Sequence, residues 1–268
     1  MRRRWILNLL LLILVAALST AVHQDLELEL EVPTLTGLTP GDIAEVVLER
    51  PEAPAIRITR SPEDWRMEAP YKAEADGTRM DQLMRIASTP VHRTLPYAAG
   101  NQQLGLDPPG IRLTLDGLEL RFGDLDPIDQ RRYVAIGDQV YLIDDGFQHH
   151  LIASPEDYVD RRLLPAGFSP QTGTLDEEPL EAEALEELAG VRAERVEALG
   201  EEISGRLLSL ESGEGGPTLR FLVTEDARLW SRLDLRLSYL VAQPPFWALG
   251  EDLSKQPPPI SESPIQSE

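Results

Sequence analysis

Ile111-Arg112-Leu113-Thr114-Leu115-Asp116-Gly117-Leu118-Glu119-Leu120-Arg121-Phe122 is the stretch that decides the fold. Apolar side chains alternate at 111, 113 and 115 up to Asp116-Gly117, and at 118, 120 and 122 away from it. Period-two alternation puts one strand face in a core. A two-residue turn between such runs needs positive backbone φ, which Asp and Gly tolerate and which matches strand twist. The stretch therefore reads as a tight β-hairpin. On its C-terminal side, residues 133–136 and 140–143 form a second hairpin through Gly137, Asp138 and Gln139, so one sheet spans both.

Working back from the hairpin, strand-like runs occupy 43–48, 55–59 and 65–67, separated by Pro51, Pro54 and Ser61-Pro62. They suggest an antiparallel meander. Thr78, with Asp81 three residues later, resembles a capping-box start. Met80, Leu83, Met84 and Ala87 then share one helical face. Further back, leucines alternate with Asp and Glu over 24–32 and turn formers crowd 33–41, which reads as a spacer (24–41).

Working forward, Ser154 is a helix cap with Pro155 at the first helical position. Pro165, Gly167, Gly173 and Pro179 mark 165–179 as a linker. An acidic helix at 180–188 and strands at 192–199, 206–211 and 218–224 follow, with Leu233, Leu235, Leu237, Tyr239 and Val241 continuing a period of two. The expected fold class is α+β: an N-terminal membrane helix, then two β-rich modules (42–164 and 180–253) of antiparallel strands and hairpins with packed helices. Whether the modules are a diverged repeat is left open, because their identities are too few to establish one. Proline, serine and glutamate dominate after Gln256, so 254–268 is expected to be a disordered tail.

Arg2, Arg3 and Arg4 precede an apolar run over 5–22, and cations resist translocation, so the rest of the chain is expected on the far side of a membrane. Eighteen helical residues reach about 27 Å against a hydrocarbon core of about 30 Å. The span is short, and Asn8 interrupts it. Ser19 and Ala21 offer a peptidase site, so residues 1–23 read as a signal anchor or a cleaved signal peptide. Trp5 at an interface-like position and the unchanged composition after Ala21 favour the anchor.

The chain carries 46 acidic against 25 basic residues, a net charge of −21, and its only lysines are Lys72 and Lys255. Such a surface repels phosphate backbones and anionic lipid, which argues against nucleic-acid binding and peripheral membrane docking. With no cysteine, there is no disulfide and no lipid-modified cysteine anchor. No Gly-x-Ser-x-Gly elbow, phosphate loop, Gly-x-Gly-x-x-Gly or His-Glu-x-x-His helix occurs. Asp144, Asp145, His149 and His150 concentrate metal-ligand types, but adjacent histidines lack the spacing of a helical metal site. Arg131-Arg132 could meet an anion, though pairing with the acidic surface is the commoner fate of such arginines. Phe246-Trp247 after two prolines could be a partner-docking or membrane-interface handle, though packing onto the second module is the commoner fate of such a pair. No catalytic residue, metal ligand or cofactor is assigned.

Several motifs in order carry a family resemblance. They are Trp65-Arg66-Met67-Glu68-Ala69-Pro70, Leu104-Gly105-Leu106-Asp107-Pro108, Phe122-Gly123, Arg132-Tyr133-Val134 and Val140-Tyr141-Leu142-Ile143. Together, over roughly 42–160, the chain resembles the bacterial family called domain of unknown function 4340. The resemblance implies an anchored or exported envelope protein beside ABC-transporter components like those of gliding-motility systems, with no catalytic residue to carry over. The motif residues Trp65, Pro70, Gly105, Leu106, Asp107, Pro108, Gly123, Tyr133 and Tyr141 have structural readings. Trp65 fills the core. Gly105 ends a helical turn, Asp107 bonds backbone amides, and Pro108 redirects the chain. Tyr133 and Tyr141 face each other across a hairpin.

The expected function is that of a binding or scaffold protein of the bacterial inner membrane. It is held by one span at 5–22 with its C-terminal part in the periplasm, as an accessory subunit of an ABC-type export system. The alternatives are a cleaved periplasmic ligand-binding protein and, behind it, an envelope hydrolase.

Overall fold

The computed structural model describes residues 15, 33–61, 64–98, 101–213 and 215–250. The expected membrane helix at 5–22 (apart from residue 15), residues 24–32 of the spacer and the tail at 254–268 lie outside the described residues. Among the described residues no helix is long and apolar enough to cross a membrane.

In chain order the elements are strands β1 (Glu45–Glu49), β2 (Ile56–Arg60), β3 (Trp65–Ala69) and β4 (Ala73–Glu74), then helix α1 (Gly77–Met84) and strand β5 (Val91–Pro96). Strands β6 (Ile111–Leu115), β7 (Leu118–Leu125), β8 (Arg132–Ile136) and β9 (Gln139–Ile143) follow, then a short helix α2 (Gln148–Leu151). The remainder is β10 (Thr172–Leu175), β11 (Glu178–Pro179), α3 (Ala182–Gly190), β12 (Arg195–Ala198), β13 (Arg206–Glu211), β14 (Thr218–Val223), β15 (Leu229–Arg232) and β16 (Leu237–Leu240). The fold is mostly antiparallel β-structure in two sheets with few helices.

Contacts divide the chain into two units. The smaller comprises the chain up to Asp42, Met84–Gly110 and Leu120–Gly146. Its strands run β7-β8-β9-β5, all antiparallel. The larger comprises Ile43–Leu83, Ile111–Glu119 and the chain from Phe147 onward. It holds the run β4-β3-β2-β1-β6 and the sheet β11-β10-β13-β14-β15-β16-β12.

The meander read from the sequence is present as β1 to β4. Alternation aims Val46, Leu48, Ile56, Ile58, Trp65, Met67, Leu113 and Leu115 inward, each 3% exposed or less. At about 1.5–3 kcal/mol per fully buried large apolar side chain, this face dominates the local stability. Asp116 and Gly117 take φ of 45° and 84°, as the two-residue turn requires. Asp116 also ties down the start of β1, its carboxylate accepting the Ala44 and Glu45 N–H groups at 3.0 and 2.7 Å. The second hairpin pairs Ile136 with Gln139, Gly137 supplying the positive φ.

One scheme of pairing occurs twice. Strand β1 holds β2 on one side and β6 on the other, as β10 holds β11 and β13. Strand β5, the first after α1, pairs with β9; β12, the first after α3, pairs with β16.

Several expectations need correction. Asp76, not Thr78, caps α1: its carboxylate accepts the Arg79 N–H at 3.1 Å and its carbonyl the Met80 N–H at 2.9 Å. The predicted face is right, with Met80, Leu83, Met84 and Ala87 all buried. Residues 33–36, read as spacer, are bound to the chain around Pro90. Leu35 and Thr36 are buried, and their N–H groups donate to the carbonyls of Thr89 and Ala87. The 165–179 segment, read as linker, contributes β10 and β11 through a turn in which Asp176 and Glu177 both take positive φ. The run from 233 to 241 is not one strand, because the chain reverses between Arg232 and Leu237 with Arg236 at φ 57°. Tyr133 pairs with Leu142, and Tyr141 with Val134, so the two tyrosines lie on opposite sheet faces and make no cross-strand contact.

In the larger unit, the Asp160 N–H donates to the Glu74 carbonyl and Arg162 bridges the Asp160, Glu74 and Asp64 carboxylates at 2.6, 3.4 and 3.5 Å. This network fastens β4 to the chain that leads into the second sheet.

Candidate functional site

Four of the motif residues converge in the smaller unit. Leu104-Gly105-Leu106 lies over strand β7 where the β7–β8 register slips between Phe122 and Leu125. Gly105 has φ +67°, and a Cβ there would sit 2.6 Å from the Asp124 carboxyl carbon. At Gly123 a Cβ would sit 2.1 Å from the Leu104 carbonyl oxygen. Only glycine allows so close an approach of turn to strand. Leu106 is thereby pressed to full burial against Ala135 and Val140, with Leu95, Tyr97, Leu104 and Tyr133 around them.

This buttressed bulge supports the loop 125–130. Arg132 Nη1 donates to the Gly123 carbonyl at 2.7 Å, and its Nη2 to Asp145 Oδ2 at 2.8 Å in a two-pronged pair. The Tyr133 hydroxyl donates to Asp126 Oδ1 at 2.8 Å, while Asp126 Oδ2 accepts the Asp129 N–H at 2.9 Å. The Asp126 N–H donates to the Arg131 carbonyl at 2.7 Å, and the Gln130 N–H to the Asp126 carbonyl at 2.9 Å. The Asp129 amide, then the Tyr133 hydroxyl, hold the Asp126 carboxyl below its ordinary range. Burial, then the bond to Asp126, raises the Tyr133 phenol.

At the tip of this braced loop Ile128 is 86% exposed, and Leu125 at its base is also exposed. One aliphatic side chain in water is ordinary. Here, however, the backbone that presents it is held by hydrogen bonds on both sides, so its position is set before any partner arrives.

The other candidates are accounted for differently. Trp65 is buried with the Arg60 guanidinium 5.0 Å above its ring. Pro70, Asp107 and Pro108 are exposed, and Pro70 and Pro108 follow cis peptide bonds. Tyr141 is half-buried in β9. Asp144 faces His92 at 3.0 Å and Arg131 at 3.7 Å, and Asp145 is taken by Arg132, so both carboxylates already have cations. Among the described residues no group of three or more His, Cys, Asp or Glu side chains is placed to hold a metal. Trp247 packs edge-on to Trp230 at 6.0 Å while its neighbour Phe246 remains exposed. A groove of about 460 Å³ on the second sheet is lined by Leu207, Leu222 and Leu233 with Arg220 and Asp234.

Residues 92–234 match the family described as domain of unknown function (DUF4340). The chain belongs to that family. The DUF4340 match takes in the Leu104–Pro108 turn, Gly123, Tyr133 and Tyr141, and it runs on through the second sheet to Asp234, well past the 160 expected from the motifs. Trp65 and Pro70 fall outside it. No curated protein and no solved structure matches the chain. Sequence reasoning passed over Ile128 and Asp126. The signal was a lone isoleucine among turn formers in Asp126-Pro127-Ile128-Asp129, where an apolar residue has no core strand to belong to.

Proposed function

We propose that this DUF4340 protein is a membrane-tethered binding or scaffold subunit that works outside the cytoplasm. The segment 5–22 holds it to the bacterial inner membrane, and it serves as an accessory subunit of an ABC-type export system in the periplasm. The observation that carries the binding role is the braced 125–130 loop, which offers Ile128 to a partner from a preset backbone. Burying that side chain at an interface is worth about 1.5–3 kcal/mol, and little ordering cost offsets it. The motif turn at Gly105 and Leu106 supports the loop's base, which gives those residues a role without chemistry of their own.

Affinity purification of the full chain from gently solubilised membranes tests this. The wild type should bring down ABC-type transporter subunits, and Ile128→Asp should lose them with its melting temperature unchanged. Equal recovery by both proteins, or a solitary wild-type monomer, would overturn the proposal.

A further inference from the structure

In the larger unit, three elements bring two arginines and two histidines around one phenol. Arg50 follows β1, Arg79 sits in the first turn of α1, and His149 and His150 belong to α2. Arg79 lies over the Tyr158 ring, its guanidinium carbon 5.3 Å from the centroid. The Tyr158 hydroxyl donates to the His150 carbonyl, and Arg50 Nη1 donates to the Ala153 carbonyl at 2.6 Å. The two imidazole centroids lie 3.9 Å apart with the rings tilted by 42°.

Ring, hydroxyl and carbonyl partners take up part of this donor set, but no counter-ion does. Arg50 Nε, Arg79 Nε and His150 Nδ1 are buried without a hydrogen bond, and His150 as a whole is only 6% exposed. Among the described residues neither guanidinium is paired with a carboxylate, although the chain has 46 acidic residues to choose from. The nearby Asp157 is already committed, its carboxylate accepting the N–H and hydroxyl of Ser154. Guanidinium stays charged, and a buried donor left unmade is costly. Structures keep such groups where something else completes them.

We propose that Arg50, Arg79 and His150, grouped around the Tyr158 ring, form a binding site for a small oxyanion of the phosphate class. A planar carboxylate is satisfied by the fork of one arginine, whereas tetrahedral phosphate offers oxygens to donors arriving from separate elements, as they do here. Arg50 and Arg79 are half-buried and His149 is exposed, so the cluster opens to solvent on their side. Empty, the site disfavours any further positive charge. Burial, then His149 and Arg79, bring His150 down to about 4. Burial also pushes the Tyr158 phenol up to about 12 against the pull of Arg79 and Arg50, with Asp157 acting the other way. A bound dianion reverses the field on His150 and raises its protonation constant.

Calorimetric titration of the full-length protein with inorganic phosphate and, separately, acetate tests the site, with NMR of the His150 imidazole in parallel. One phosphate should bind per chain, acetate at least about tenfold more weakly, and Arg79→Gln should weaken phosphate by about tenfold or more. Arg79→Lys should recover part of the loss, and phosphate should move the His150 titration upward. If Arg79→Gln fails to fold, Arg50→Gln and Arg79→Lys against the wild type carry the same comparison. The proposal falls if phosphate gives no saturable heat and leaves His150 unmoved, if the arginine variants bind like the wild type, or if acetate binds as well as phosphate.

Discussion

Gly123→Ala probes the buttress on which the proposed binding loop rests. The new Cβ would stand 2.1 Å from the Leu104 carbonyl oxygen and 3.0 Å from two carbons of the Leu106 side chain. Non-bonded contacts settle at about 3.5 Å, so the 104–106 turn has to lift by roughly 1 Å. The obstructing atom is backbone, which cannot swing aside as a side chain can. Overpacking of this kind costs about 1–3 kcal/mol, and any loss of Leu106 burial adds to it. For a chain of this size each kcal/mol lowers the melting temperature by about 2–4 °C, so a fall of about 2–12 °C is expected. Gly110→Ala is the matched control, since nothing lies within 4 Å of its added Cβ and its φ is not positive. That variant should be unchanged or gain about 0.4–1 kcal/mol through the unfolded chain. Thermal unfolding of the three proteins side by side decides the matter. A Gly123→Ala melting temperature equal to that of Gly110→Ala would refute the close-approach argument.

Arg132→Ala strands the Asp145 carboxylate, which is 16% exposed, and should cost about 3 kcal/mol in urea unfolding; replacing both residues by apolar ones of similar size should cost less than either single loss. Tyr133→Phe removes the bond to Asp126 and should speed proteolysis within 125–130 while letting the Asp126 carboxyl drift back up. His150, brought down to about 4 in the fold, stays neutral where an unfolded histidine at about 6.5 takes up a proton. The unfolded state therefore binds more protons between those values, and stability falls as pH drops from 6.5 to 4, by at most about 3 kcal/mol. Urea midpoints at pH 7 and 4.5 should show this loss, and His150→Gln should reduce it.

Local chemistry made much of the fold legible. Asp116-Gly117 announced its turn because the two φ values it needs are scarce outside those residues, and the alternation around it named the buried face. Where cues were not local, reading failed. Thr78 looked like the cap because the hydrophobic run begins beside it, whereas Asp76 holds the position in three dimensions. Ser231 and Ser238 are buried and bonded to each other at 2.8 Å, and polar residues at core positions hid the break between β15 and β16. Asp176-Glu177 turns without a glycine, so its hairpin was taken for linker. The motif residues were legible as structure, while their convergence beneath 125–130 was not, since Gly123 and Leu104 meet only through the sheet. Arg50 and Arg79 carried no signal at all: among 23 arginines, an unpaired one is recognisable only once its neighbours are known.

A photoreactive amino acid placed at 128 in the full chain, and at 152, another exposed isoleucine, as control, tests the binding account most directly in intact cells. Position 128 should yield an adduct with an ABC-type transporter subunit and position 152 none. Absence of an adduct at 128, or the same adduct from both positions, would contradict it.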